Sequence, residues 1–155
     1  METINDICSL YSCKTSFPAQ DFYLKDVISF TINCLDINDV KVKNNISIIV
    51  EEAFVNISHY SGSSFADVTI YKNDDFGYLL LEDNGKPFNP LEKEENPYSQ
   101  EDSATRIGGL GILLIKEMSQ GVYYEYKDNK NRLLIKLARC WLWKLSNQKT
   151  EKNLL

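Results

Sequence analysis

The sequence predicts an α/β (α+β) two-layer sandwich, a mostly antiparallel sheet with helices on one face. Three observations carry this. Two pairs of strand-like runs are joined by short Asn/Asp turns, Phe65 to Lys72 with Phe76 to Asp83, and Val122 to Tyr126 with Arg132 to Leu137. Three other segments repeat their apolar residues at helical spacing. Strands and helices do not alternate through the chain, which excludes the parallel doubly wound folds.

Ile7 to Lys14 alternates as a first strand, with Cys8 and Cys13 on opposite faces, and Phe17-Pro18 breaks it. Leu24, Val27, Ile28, Thr31, Ile32 and Leu35 predict a first helix from about Asp21 to Leu35. Asp36-Ile37-Asn38-Asp39 then reads as a turn that supplies the next N-cap. In the second helix Ile46, Ile49, Val50, Ala53 and Ile57 form one apolar stripe, ending near Ser61-Gly62. Asn73-Asp74-Asp75 links the two strands that follow. From Lys86 to Ile107 apolar periodicity stops, and so long a connection in a compact domain marks a functional lid or a disordered insert. Leu110, Leu113, Leu114 and Met118 predict a last helix, opened by glycines and closed by Gly121, before the final hairpin over Asp128 to Asn131.

The chain has 155 residues, 43% of them apolar, enough to bury one domain core. We place that domain at residues 1–138 and a tail of unknown role, with Trp141 and Trp143, at 139–155. Seventeen Lys+Arg against 22 Asp+Glu give a net charge of −5, which argues against non-specific nucleic-acid binding. No apolar run is long enough to span a bilayer and the N-terminus is acidic, so a cytoplasmic protein is expected. Cys8, Cys13, Cys34 and Cys140 lack the close spacing of a zinc or redox motif.

Three segments carry candidate chemistry. Glu52, Asn56 and His59 share a narrow sector of the second helix, beside its apolar stripe. Asp83 and Gly85 follow a hydrophobic strand, where a carboxylate can accept a hydrogen bond from a ligand amino group and a glycine admits a flat ring. Arg106-Ile107-Gly108-Gly109-Leu110-Gly111 opens a helix, whose unpaired N–H groups suit an anion. Each alone reads equally well as a solvated helix edge, a turn or a Gly-rich loop. His59 reads better as a helix-end hydrogen bonder than as a phosphoacceptor.

In this order the motifs Val50-Glu51-Glu52-Ala53-Phe54-Val55-Asn56, Glu82-Asp83-Asn84-Gly85-Lys86-Pro87-Phe88-Asn89-Pro90 and Gly108-Gly109-Leu110-Gly111-Ile112-Leu113-Leu114-Ile115 resemble the Bergerat ATP-binding fold of the histidine-kinase-like ATPases. Within that superfamily the chain is similar to the stand-alone anti-sigma-factor serine/threonine kinases, over nearly all of residues 7–138. The resemblance implies ATP and Mg2+ as cofactors, with Asn56 on the metal and Glu52 as general base toward a Ser or Thr hydroxyl. It further implies Asp83 on the adenine amino group, Gly85 beneath the base, and Gly108, Gly109, Leu110 and Gly111 around the phosphates. Arg106 is a candidate for charge stabilisation. The implied partners are a sigma factor or other regulator and an anti-anti-sigma-type protein substrate, with a homodimer as a further expectation. The acidic lid, with Glu92, Glu94, Glu95, Glu101 and Asp102, motivates an alternative: a catalytically weak ATP-sensing interaction module.

Overall fold

The computed structural model describes residues 3–92 and 106–140. Its five strands, β1 (Tyr11–Pro18), β2 (Phe65–Lys72), β3 (Phe76–Asp83), β4 (Gly121–Lys127) and β5 (Lys130–Ala138), form one antiparallel sheet in the order β1-β2-β3-β5-β4. Helices α2 (Leu24–Leu35), α3 (Val40–Asn56) and α4 (Arg106–Met118) cover one face. The predicted fold class holds.

The main core follows from two periodicities meeting. Alternate strand residues Val68, Ile70, Leu79, Leu81, Ile135 and Leu137 point to the helices. Val27 and Leu35 of α2, and Ile46, Ile49, Val50, Ala53 and Phe54 of α3, answer them. Each fully buried Ile, Leu, Val or Phe contributes roughly 1.5–3 kcal/mol. Asp39 caps α3 as its turn predicts, its Oδ1 accepting from the amides of Lys41 (2.8 Å) and Val42 (3.1 Å). Past Asn56 the chain widens into a π-type turn, Ile57–Ser61, and Gly62 leaves it at φ 73°, so the predicted stop is correct. A 3-10 turn, Asp21–Tyr23, precedes α2.

The N-terminus departs from expectation. Ile4–Ile7 is a short helix, α1, and β1 begins only at Tyr11. Thr3 starts the helix by donating from both N and Oγ1 to the Asp6 carboxylate, each at 2.8 Å. Ile4 and Ile7, three apart, bury on the second sheet face against Tyr78, Leu80 and Leu134. Cys8 therefore follows a helix and does not share a strand with Cys13. Phe17-Pro18 does not break β1 but completes it, because an edge strand tolerates a residue without an N–H.

One turn behaves as read, and the other is shorter than the expected Asp128–Asn131, because Lys130 and Asn131 already pair as part of β5. Asn73 Oδ1 accepts from the amides of Asp75 (3.0 Å) and Phe76 (2.8 Å) in the β2–β3 turn. Asp128 and Asn129 both have positive φ, 54° and 58°, the two-residue geometry that suits the twist of the β4–β5 hairpin. Arg139, placed in the tail by the sequence, is tied to the domain: it donates to the carbonyls of Leu35 and Asn73. The rest of the tail with its tryptophans, from 141 on, and residues 93–105 of the lid lie outside the described residues. Among the described residues no helix is long and apolar enough to cross a membrane.

Candidate functional site

The site lies between the C-terminal half of α3, the end of β3 and the start of β5. Asp83 is the last residue of β3 and pairs in register with Asn131 of β5. A cavity of about 470 Å³, its open mouth included, runs from this pair toward Asn56. Ala53, Ile57, Leu81 and Leu133 give it apolar walls, and Phe88 and Pro90 of the following loop line it too. Apolar walls with a few convergent polar groups are what a flat heteroaromatic ligand requires.

Asp83 is 5% exposed, and it is held from two directions. Its Oδ1 accepts from the Gly85 amide (2.9 Å) and from Asn131 Nδ2 (3.1 Å). Asn131 Nδ2 also donates to the Lys86 carbonyl (2.9 Å), while its Oδ1 accepts from the Phe88 amide (3.0 Å) and the Tyr124 hydroxyl (2.6 Å). Burial pushes the Tyr124 phenol above its ordinary pKa, so it remains a donor at neutral pH.

Gly85 has a strict steric reason. A methyl group there would overlap the Ser61 carbonyl oxygen and lie 2.8 Å from Asp83 Oδ1. The next amide, Lys86 N, donates to Ser61 O at 3.1 Å, so the loop after β3 is stitched to the π-type turn. That turn is held from outside by Asp21, whose Oδ1 accepts from Ser58 Oγ (2.6 Å) and whose Oδ2 lies 2.7 Å from His59 Nε2. The Ser58 hydroxyl, and after it His59, keep the Asp21 carboxyl below the usual carboxylate range. His59 is thus a hydrogen-bonding residue at a helix end, with its partner on another element.

Glu52 and Asn56, four residues apart on α3, are both half-buried. Asn56 lines the cavity, and Glu52 faces α4, where a methyl group at Gly111 would overlap Glu52 Oε2. Glu52, Gly111, Asn56, Asp83 and Gly85 are therefore brought to one side of the sheet. Arg106, Gly108 and Gly109 lie in the first turns of α4, so the glycine run is wound into the helix and does not precede it. Leu110 is exposed at 58%. Among the described residues no group of three or more His, Cys, Asp or Glu could hold a metal. Asn56 offers a neutral amide oxygen beside the cavity, a fit for one position on a hard cation whose other ligands are phosphate and water.

Sequence reasoning missed Asn131, Tyr124 and Ser61. Asn131 sits in a polar hairpin, Asp128-Asn129-Lys130-Asn131, where it reads as turn chemistry. Only the β3–β5 register, which opposes it to Asp83, reveals its place.

The model of the histidine kinase-like ATPase domain family matches residues 17–137. The chain belongs to that family. The match runs from the last two residues of β1 to nearly the end of β5 and includes every residue of the site just described. Among solved structures this histidine kinase-like ATPase domain is similar to two nucleotide-free crystal forms of the catalytic domain of histidine kinase ThkA. Identities are 10% and 12%, TM-scores 0.47 and 0.48, with 82% of this chain and 97% and 98% of those chains covered. No curated protein matches the sequence.

Proposed function

We propose that this histidine kinase-like ATPase domain is an ATP-dependent protein serine/threonine kinase of the anti-sigma type. It holds a sigma factor or another regulator and phosphorylates a small antagonist protein in a partner-switching pathway. The observation that carries the reading is one cavity lined by both Asp83 and Asn56, with Glu52 one helical turn before Asn56 on α3 and packed against Gly111 of α4.

Asp83 accepts the exocyclic amino group of adenine, with Oδ1 already engaged by Gly85 and Asn131. The walls at Ala53, Ile57 and Leu133 take the ring faces. Asn56 would ligate Mg2+ through its amide oxygen, and the metal, when bound, supplies charge neutralisation on the phosphates. Glu52 takes the proton from a Ser or Thr hydroxyl of the protein substrate as its oxygen bonds to the γ-phosphorus. The bond from that phosphorus to the bridging oxygen breaks, ADP leaves, and Glu52 returns the proton to solvent. The transition state is loose, so positioning outweighs proton removal.

The test is transfer of labelled γ-phosphate from ATP to candidate antagonist proteins, with Glu52→Gln beside the wild type. Transfer that falls at least about tenfold in Glu52→Gln supports the base role. Undiminished transfer overturns it. The strongly acidic lid sequence favours a second reading, a nucleotide sensor without useful catalysis. ATP binding with no transfer to any protein of a cell extract would select it.

A further inference from the structure

We propose that Asp21, on the surface turn before α2, is a positioning residue for the nucleotide: it fixes the π-type turn Ile57–Ser61, and that turn sets the place of the loop after β3. The inference rests on the reading of the cavity as a nucleotide site. It adds a control point that lies outside the cavity and outside the sequence motifs.

The π-type turn has two sides. Its inner side carries Ile57, Tyr60 and Ser61, all three in the cavity wall. Its outer side carries Ser58 and His59, and both reach the one carboxylate of Asp21. Ser58 Oγ donates to Oδ1 at 2.6 Å, and His59 Nε2 lies 2.7 Å from Oδ2. An ionised carboxylate only accepts, so Nε2 carries the hydrogen. Asp21 is itself tied to the chain beyond the turn, because the Ala19 amide, two residues before it, donates to the Ser64 carbonyl (3.0 Å). A π-type turn is a rare departure from the α-helical hydrogen-bond pattern, and one carboxylate gripping two successive residues holds it in place.

On the inner side the turn ends at the Ser61 carbonyl. That oxygen accepts from the Lys86 amide (3.1 Å), and it leaves no room for a methyl group on Gly85. The loop after Asp83 is therefore seated on Ser61 by a hydrogen bond and by close contact together. Moving the turn inward would drive Ser61 into Gly85, and moving it outward would release Lys86. Asp21 is not part of the cavity wall, yet it decides which position the turn keeps. Its side chain is 57% exposed, so this control is reached from solvent and not through the cavity.

The experiment titrates the full chain with ATP for the wild type, Asp21→Ala, Asp21→Asn and Ser58→Ala, with thermal melts and hydrogen exchange on the same samples. Asp21→Ala removes both grips and should weaken ATP about 3–10-fold. Asp21→Asn keeps both bonds, its Oδ1 accepting from Ser58 and its Nδ2 donating to the other His59 tautomer. It should bind ATP within about twofold of the wild type although it melts lower. If Asp21 served stability alone, every variant would melt lower and bind ATP as the wild type does. The Lys86 amide should exchange faster in Asp21→Ala, while the Phe76 amide, held by Asn73 at the other end of β3, keeps its rate. An unchanged ATP affinity or an unchanged Lys86 rate in folded Asp21→Ala overturns the proposal, and so does a loss in Asp21→Asn as large as in Asp21→Ala. If Asp21→Ala does not fold, Ser58→Ala decides, since it removes one grip alone. ATP weakened a few-fold with faster Lys86 exchange then supports the relay, and no change in either one overturns it. If the wild type itself binds no ATP, the nucleotide reading fails and this role falls with it, while exchange at Lys86 still shows whether Asp21 seats the loop.

Discussion

The carboxylate of Glu52 packs against Gly111 so closely that a methyl group on that glycine would overlap Oε2. The contact joins α3 to α4, the helix that carries the glycine run, and places the proposed base within reach of it. Gly111→Ala therefore separates stability from activity. Ala gains about 1 kcal/mol over Gly in a helix interior, and the obstruction is the mobile end of a side chain. The melting temperature should hold or rise. Displacing the carboxylate by about 1 Å should lower phosphotransfer by about a hundredfold. A variant that melts lower and transfers normally would refute both halves.

Gly85→Ala acts the other way. Its methyl group meets the Ser61 backbone, 2.7 Å from the carbonyl carbon, and the Lys86 to Ser61 hydrogen bond pins that carbonyl in place. Neither side has a rotamer to change. The expected loss is about 1–3 kcal/mol of stability, with weaker nucleotide binding because Asp83 Oδ1 also stands in the way. Thermal melts with and without ATP would measure both, and a variant as stable and as responsive to ATP as the wild type would show the approach to be unimportant.

These two glycines show how unevenly the sequence revealed the molecule. α3, β2 and β3 were legible because their apolar periods are uninterrupted, and Glu52, Asn56, Asp83 and Gly85 were legible because they sit in short motifs on those elements. α1 was not, because Ile4 and Ile7 are only two apolar residues in a polar segment, and Ile7 also fits an alternating strand. Asn131 was hidden for a different reason. Its partner Asp83 is 48 positions away, and strand register is not written in local pattern.

Acid should loosen the π-type turn through Asp21. Ser58 and His59 lower its pKa in the folded chain, below the unfolded value of about 3.9. Its contribution is therefore complete above about pH 4 and disappears as pH falls through the folded pKa. Asp21→Asn should be less stable than the wild type at pH 6, with the gap closing toward pH 2. Urea midpoints across that range are the check, and a gap that does not change with pH would contradict the assignment.

The cysteines should differ sharply in reactivity. Burial, and after it the hydrogen bond with Cys13, pushes the Cys34 thiol up to about 12, which leaves almost no thiolate at pH 8. Cys8 and Cys140 are exposed. Native-state alkylation at pH 8 followed by peptide mass mapping should label those two early and Cys34 only after denaturant is added. Early labelling of Cys34 would mean that α2 does not hold it buried beside Cys13 of β1.

Ile4 and Ile7 should behave as one unit. Each is almost fully buried on the second sheet face, where truncation to Ala ordinarily costs about 2–5 kcal/mol. α1 is only four residues long, however, and its release costs no more than the free energy of docking it. The double variant Ile4→Ala/Ile7→Ala should then be scarcely less stable than either single variant, a strong departure from additivity. Release would uncover Tyr78, Leu80 and Leu134, so self-association should rise with protein concentration in sedimentation runs. Nucleotide binding should persist, because the cavity opens on the opposite face of the sheet, toward Asn56 and α3. Additive losses with no self-association would show instead that α1 stays docked around its cavities and is a fixed part of the fold.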